Sequence, residues 1–192
     1  MIIARKDLNM RIIAGKAKGT KLYTLEGENT RPTLDRVKES LFNIIQGEIQ
    51  DSIFLDLFSG SGAIGLEAVS RGAKKAILCD KSKEACTIIK KNIEKIHALE
   101  NVELYQADFK EVLTNRISEK LDIIYLDPPY KTNFAIEAIN IILTKEILHE
   151  NTMVIIETDD KDKMIESLKN IDCEIKDIRK YGRAYLIFLK RI

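Results

Sequence analysis

Residues 127–130 read Asp-Pro-Pro-Tyr and close a short apolar run, LDIIYLD. Two successive prolines fix φ and carry no amide hydrogen, so the turn they form is rigid and presents carbonyl acceptors. Asp127 adds a carboxylate that only accepts, and Tyr130 adds a flat face for stacking. Such a set suits a planar ring bearing an exocyclic amino group. Asp127 and a carbonyl of Pro128 or Pro129 hold the two amino hydrogens and turn the nitrogen lone pair outward. Stacking on an aromatic side chain contributes about 1–3 kcal/mol per base, comparable with the few kcal/mol needed to extrude one. The plain alternative is a Pro-Pro turn that ends a strand, with an incidental tyrosine.

A second constellation lies in IFLDLFSGSGAIGLE, residues 53–67. Gly60, Gly62 and Gly65 form a G-x-G-x-x-G, and Asp80 follows Gly60 by 20 positions, the spacing of a dinucleotide fingerprint. Yet Asp56 and Ser59 precede the glycines, where a pyrophosphate would pass. Two like charges about 4 Å apart repel by roughly 4 kcal/mol at an effective dielectric near 20. S-adenosylmethionine has no phosphate and offers an ammonium group that Asp56 can accept. Gly60 and Gly62 then let the backbone approach, and Asp80, with Lys81 beside it, takes the ribose hydroxyls. Asp108 accepts from the adenine amino group, Phe109 covers the base, and Gly65 serves helix packing. Transfer of a sulfonium methyl is a direct displacement, which asks for positioning more than for a strong base. A pyrimidine carbon would instead want a cysteine nucleophile, and none stands near the tetrapeptide in sequence.

These residues need a frame that aligns them. Short apolar runs at 53–57, 76–79, 102–105, 122–126 and 153–157 alternate with amphipathic segments near 63–71, 82–97, 109–116, 133–147 and 161–169. Near-continuous apolar strands imply burial on both faces, hence a parallel sheet with helices on each side. In such an α/β sheet ligands bind beyond the carboxyl ends of strands, where Asp56, Asp80, Asp108 and Asp127 all fall. The final stretch, CEIKDIRKYGRAYLIFLK, predicts an antiparallel hairpin around Gly182. At the other end, residues 11–25 alternate and contain two glycines, which predicts a basic β-hairpin. Pro32 and Thr33 then open a helix with Leu34, Val37, Leu41, Ile44 and Ile45 on one face. The expected organisation is a basic hairpin and helix over 10–48, packed on a compact unit over 49–192.

Composition narrows the partners. The 192 residues carry a net charge of +1, so attraction to nucleic acid must be local. Arg11, Lys16, Lys18 and Lys21 supply such a local segment. Cys79, Cys86 and Cys173 form no C-x-x-C pair, and His97 and His149 stand apart, as surface helix residues, so no metal site is expected. No apolar run has membrane-spanning length, and Asp7 interrupts the opening apolar stretch where a signal core would continue. Ordered patterning begins only near Met10. A cytoplasmic monomer is the expectation.

The segments RPTLDRVKESLFNII, DLFSGSGAIGLEA and DPPY, with MRIIAGKAKGTKL before them and KYG after, resemble the bacterial 16S rRNA guanine-N2 methyltransferase family. The resemblance runs over nearly the whole chain from Met10. It implies a Rossmann-like class I methyltransferase fold with a seven-stranded, mostly parallel sheet. It also implies S-adenosylmethionine as cofactor and the small ribosomal subunit, or its late precursor, as substrate. Asp56, Phe58, Ser59, Gly60 and Gly62 would form the cofactor loop, Asp80 and Lys81 would meet the ribose, and Asp108 and Phe109 the adenine. Asp127, Pro128, Pro129 and Tyr130 would hold the guanine. Arg31, Thr33 and Arg36 would close over the methionine end or approach RNA. Adenine-N6 or cytosine-N4 methylation, a nicotinamide-dependent oxidoreductase and a non-catalytic nucleotide-fold protein remain as alternatives.

Overall fold

The computed structural model describes residues 10–25, 32–129 and 132–190, without the side chains of 32–34. Tyr130 and Arg31, and the side chain of Thr33, therefore lie outside the described residues. Five strands come from the apolar runs: β1 (Ile53–Asp56), β2 (Lys75–Asp80), β3 (Val102–Gln106), β4 (Ile123–Leu126) and β5 (Met153–Thr158). They alternate with α3 (Ala63–Ser70), α4 (Lys83–Lys95), α5 (Phe109–Asn115), α6 (Phe134–Leu143) and α7 (Lys161–Leu168). Before them come α1 (Pro32–Ile44) and the short α2 (Gln46–Ile49), and β6 (Glu174–Tyr181) and β7 (Ala184–Lys190) end the chain. The seven strands form one sheet in the order β3-β2-β1-β4-β5-β7-β6. Strands β1 to β5 run parallel, whereas β7 is antiparallel to both β5 and β6. This is the expected Rossmann-like α/β fold, with a mostly parallel sheet closed by the antiparallel hairpin.

Burial on both sheet faces explains the continuous apolar strands. On one face Leu55, Ile124, Leu126, Val154 and Ile156 pack against α5 and α6 through Val112, Leu113, Ala138, Ile139 and Ile142. On the other, Phe54, Ile123, Tyr125, Ile155 and Phe188 meet Val37, Leu41, Phe42 and Ile45 around α1. No helix among the described residues is long and apolar enough to cross a membrane.

The amino-terminal segment departs from expectation. It forms a single bridge, Arg11 to Lys21, around a loop, instead of two strands. Ile12 and Leu22 still donate across the hairpin, to the Thr20 and Met10 carbonyls, whereas the amides of residues 13, 14 and 16 turn to α3. Ile13 and Ala14 donate to the Glu67 carboxylate at 2.7 and 2.9 Å, and Lys16 donates to the Ser70 carbonyl at 2.8 Å. Gly15, at φ +81°, permits this contact, because a Cβ there would lie 1.7 Å from the Ser70 oxygen. Two further differences concern histidines. The helix expected over 82–97 ends at Lys95, and His97 turns the chain with φ +56° while Ala98 donates to the Ile93 carbonyl. His149 lies in the loop after α6, with Nε2 2.9 Å from Asp122 Oδ1.

Candidate active site

Strand order reverses beside β1, which has β2 on one side and β4 on the other. A cavity of about 710 Å³ opens at the carboxyl ends of these strands, where α/β sheets place their ligands. Asp56, Asp80, Asp108, Asp127, Pro128 and Pro129 all line it, as do Phe58, Ser59, Gly60, Lys81 and Phe109. Four separate strand ends thus converge on one space, and the two sequence constellations become a single site.

Each acid is held differently. Asp80 accepts from the Gly60 amide at 2.9 Å and from the Ser82 amide at 2.8 Å, which ties the glycine loop to the end of β2. Gly62, at φ +80°, begins α3, and its amide donates to the Ser59 carbonyl at 2.7 Å. Asp108 caps α5 by accepting from the Lys110 amide, and Lys81 Nζ stands 3.7 Å from its other oxygen. Asp56 is buried and accepts from the Gly65 amide at 3.1 Å. Gly65 therefore does two things: its amide holds Asp56, and its missing side chain lets α3 approach Leu78, 2.8 Å from where a Cβ would sit.

Burial pushes the Asp56 carboxyl up to about 7, with the Gly65 amide opposing and Asp80 adding to the shift. At neutral pH Asp56 is therefore partly protonated, which softens the repulsion expected against a phosphate. A cationic ligand would draw it back to the ionised form. The folded value lies above the ordinary 3.8, so the native state keeps a proton that the unfolded chain releases. Stability of the unliganded protein should fall as pH rises between about 4 and 7, by about 1.4 kcal/mol per unit for this group. Asp56→Asn should flatten that slope in denaturant titrations. An unchanged slope would mean that Asp56 does not carry it.

The aromatic wall is larger than the sequence suggests. Phe58 and Phe109 lie 5.2 Å apart between ring centroids, and Phe134 from α6 packs on both, at 6.4 and 5.2 Å. Phe134 carries no motif and follows the turn by chain position alone. Cys79 also lines the cavity, although no cysteine is near the tetrapeptide in sequence. Burial, and then Asp80 and Asp56, push its thiol up to about 12, so it stays protonated and is no nucleophile. On the far side Tyr125 donates to Glu157, both buried at the cavity. Burial, followed by the charges of Glu157 and Asp127, holds the Tyr125 hydroxyl well above its usual range, and burial raises Glu157 as well.

From α1, the wall receives Val37 and Lys38, while Arg36 is exposed and is not among the wall residues. Of the two readings of Arg36, cofactor or RNA, its exposed position away from the wall leaves the one open to an RNA. Lys38 is buried, donates to the Arg11 carbonyl at 2.5 Å, and lies 3.6 Å from Glu67 Oε2. Burial lowers its pKa, with Glu67 and Asp35 opposing. Met10 reaches the same wall, so the basic loop begins at the cavity rim. Arg11, Lys16, Lys18 and Lys21 are all exposed. Among the described residues no group of three or more His, Cys, Asp or Glu could hold a metal ion.

Residues 10–190 match the family described as Conserved hypothetical protein 95. The chain belongs to this family. Ribosomal RNA small subunit methyltransferase D of Haemophilus influenzae is 37% identical over 163 residues, covering 84% of each chain. The solved Escherichia coli protein yhhF superposes with a TM-score of 0.81 at 28% identity, covering 94% of this chain and 97% of that one. SMU.776, solved in complex with SAH, has a TM-score of 0.65 at 22% identity and covers 81% of this chain and 48% of that one. At that identity the likeness is one of fold. In this member of the family, sequence reasoning missed Lys38, Phe134, Tyr125 and Glu157 in the cavity wall. Only Glu157 left a trace, as an acid ending an otherwise apolar strand.

Proposed function

We propose that this protein transfers the methyl group of S-adenosylmethionine to the exocyclic N2 amino group of a guanine in small-subunit ribosomal RNA. The observation that carries the reading is the meeting of the Asp127-Pro128-Pro129 turn with Asp56, Asp80 and Asp108 in one cavity. The acids and glycine loop suit an ammonium, a ribose and an adenine, and the turn suits an amino group presented opposite them. The relative in Haemophilus influenzae, named as a small-subunit ribosomal RNA methyltransferase, supports the RNA substrate. The SAH bound to SMU.776 supports the cofactor on a fold of this kind. Asp56 takes the ammonium, Asp80 the ribose hydroxyls and Asp108 the adenine amino group, with the phenylalanine wall beside the ring. Tyr130 stacks on the extruded guanine.

Incubation with labelled S-adenosylmethionine and unmodified small subunits, followed by nucleoside analysis, tests the reading. Label in N2-methylguanosine is the expected result. Label in N6-methyladenosine or N4-methylcytidine would replace the base, and absence of label together with binding of NAD would remove the methyltransferase reading.

The exposed loop gives the RNA phosphates a place to bind. Reversing Lys16, Lys18 and Lys21 to glutamate should weaken RNA binding and lower the salt slope by about one for each phosphate no longer neutralised. Cofactor affinity should not change, because none of the three lines the cavity. Filter binding across a salt series reads both quantities, and an unmoved slope would make the loop a merely solvated edge.

A further inference from the structure

We propose that Glu157 reads the base, its carboxylate accepting the ring N1–H of guanine while Asp127 holds the adjacent amino group. This rests on the guanine reading above and adds to it the residue that sets base identity. Strands β4 and β5 are paired in parallel with Leu126 opposite Ile156, so Asp127 and Glu157 stand abreast one step further on. Neighbouring strands lie about 4.8 Å apart, and residues at matched positions point to the same face. Tyr125, two residues before Asp127, shares that face. Its hydroxyl feels the charge of both carboxylates and bonds to Glu157 Oε2. Glu157 lines the cavity at 7% exposure.

A purely structural role explains this acid poorly. The preceding positions of β5, Met153 to Ile156, are all apolar and buried. The buried Tyr125 hydroxyl asks only for one acceptor, Glu157 Oε2, which a neutral amide would supply without the cost of burying a carboxylate. Guanine presents its ring N1–H and its amino group side by side, two donors in a row. Two abreast carboxylates that only accept match that edge. Adenine and 2-aminopurine instead place a lone pair at N1, which a carboxylate repels. Acceptance of the N1–H also pushes electron density into the ring and so toward the amino nitrogen that attacks the methyl group. The Tyr125 hydroxyl, kept protonated, fixes the orientation of the acid. No proton leaves the ring: the S–CH3 bond breaks as the N–CH3 bond forms, and the exocyclic nitrogen then releases one of its own protons to water to give neutral N2-methylguanine.

The test compares small subunits reconstituted with guanosine or with 2-aminopurine riboside at the methylated position. The two bases share the amino group and differ at N1 and at C6, where 2-aminopurine lacks the carbonyl oxygen, so the loss of preference in the Glu157 variants is what assigns the discrimination to the N1–H. A site built to bond a substrate N–H rejects an analogue lacking it by about 10⁴-fold, and the wild-type protein should prefer guanosine in kcat/KM by about that factor. In Glu157→Ala and Glu157→Gln the preference should shrink by at least about 100-fold, mostly through lost activity on guanosine. Because both substrates meet the same protein sample, the ratio does not depend on how much of a variant is folded. Calorimetry should show S-adenosylmethionine affinity unchanged. Wild-type rates on the two bases within tenfold of one another would overturn the assignment, even if neither variant could be purified. Preserved selectivity in the variants would do the same. If the wild-type product is not N2-methylguanosine, the guanine reading itself falls. If it is, and selectivity stays put, only the role of Glu157 falls.

Discussion

Asp127→Ala is expected to cut methyl transfer by about 10²–10³-fold while leaving S-adenosylmethionine affinity unchanged. The factor is that for losing one preorganised polar group aimed at charge developing in a transition state. The amino nitrogen of guanine shares its lone pair with the ring and is a weak nucleophile. In the displacement that nitrogen gains positive charge as the sulfonium loses it. In the proposed function Asp127 would answer both needs, its carboxylate orienting one amino hydrogen and stabilising the growing charge. In the proposed function the cofactor meets other acids, Asp56, Asp80 and Asp108, and each of these is held by its own backbone amide donor. Their positions do not depend on Asp127. Single-turnover rates with labelled cofactor and small subunits, beside calorimetry of the cofactor alone, separate the two effects. Asp127→Asn retains an acceptor oxygen without the charge and should fall between wild type and alanine. A rate within about threefold of wild type for the alanine variant would be far below the expected effect and would remove Asp127 from the mechanism.

The acids of this site were legible in the sequence because each ends a strand, and strand ends in a parallel sheet converge at one edge. The glycine loop and the Pro-Pro turn were legible for a related reason, since both are local backbone devices with a short signature. What stayed hidden comes from packing between distant segments. Lys38 reads as one cation of a surface helix until α1 folds over the sheet and brings it beside Glu67, 29 positions along the chain. Phe134 reads as a helix start until Phe58 and Phe109 arrive from two other strand ends. The basic segment shows the opposite failure. Its alternation predicts two strands, but the hairpin keeps a single bridge, because the amides of residues 13, 14 and 16 bond to the Glu67 carboxylate and the Ser70 carbonyl. Local pattern lost to a side chain more than 50 positions away.

That side chain should be the most costly in the molecule to neutralise. Glu67 is fully buried in α3, accepts from three donors, the Ile13 and Ala14 amides and Arg71 Nε at 2.7 Å, and pairs with the Lys38 charge, whose Nζ lies 3.6 Å away. Arg71 and Lys38 are the two cations around it, with little access to water at 14% and 2% exposure. Among the described residues Arg71 Nη2 already lacks a partner, so the surroundings hold no spare acceptor for it. Glu67→Gln leaves both cations without their counter-charge and turns one carboxylate oxygen into a donor facing other donors. Breaking one side of a buried ion pair typically costs about 3–5 kcal/mol, and the loss should fall in that range by denaturant unfolding. The same change loosens the loop that carries Lys16, Lys18 and Lys21. RNA affinity should therefore drop even though every basic residue of the loop remains. Glu67→Met separates charge from anchoring, because it removes the acceptor without adding an unpaired donor. It should destabilise through the stranded Lys38 and Arg71 and should weaken RNA binding as much as the glutamine does. A loss under about 1 kcal/mol in both variants would mean that Arg71 and Lys38 reach water, or that Lys38 sheds its proton. The loop would then be held chiefly by Met10, Ile12 and Leu22 in their apolar cluster against α3 and α4.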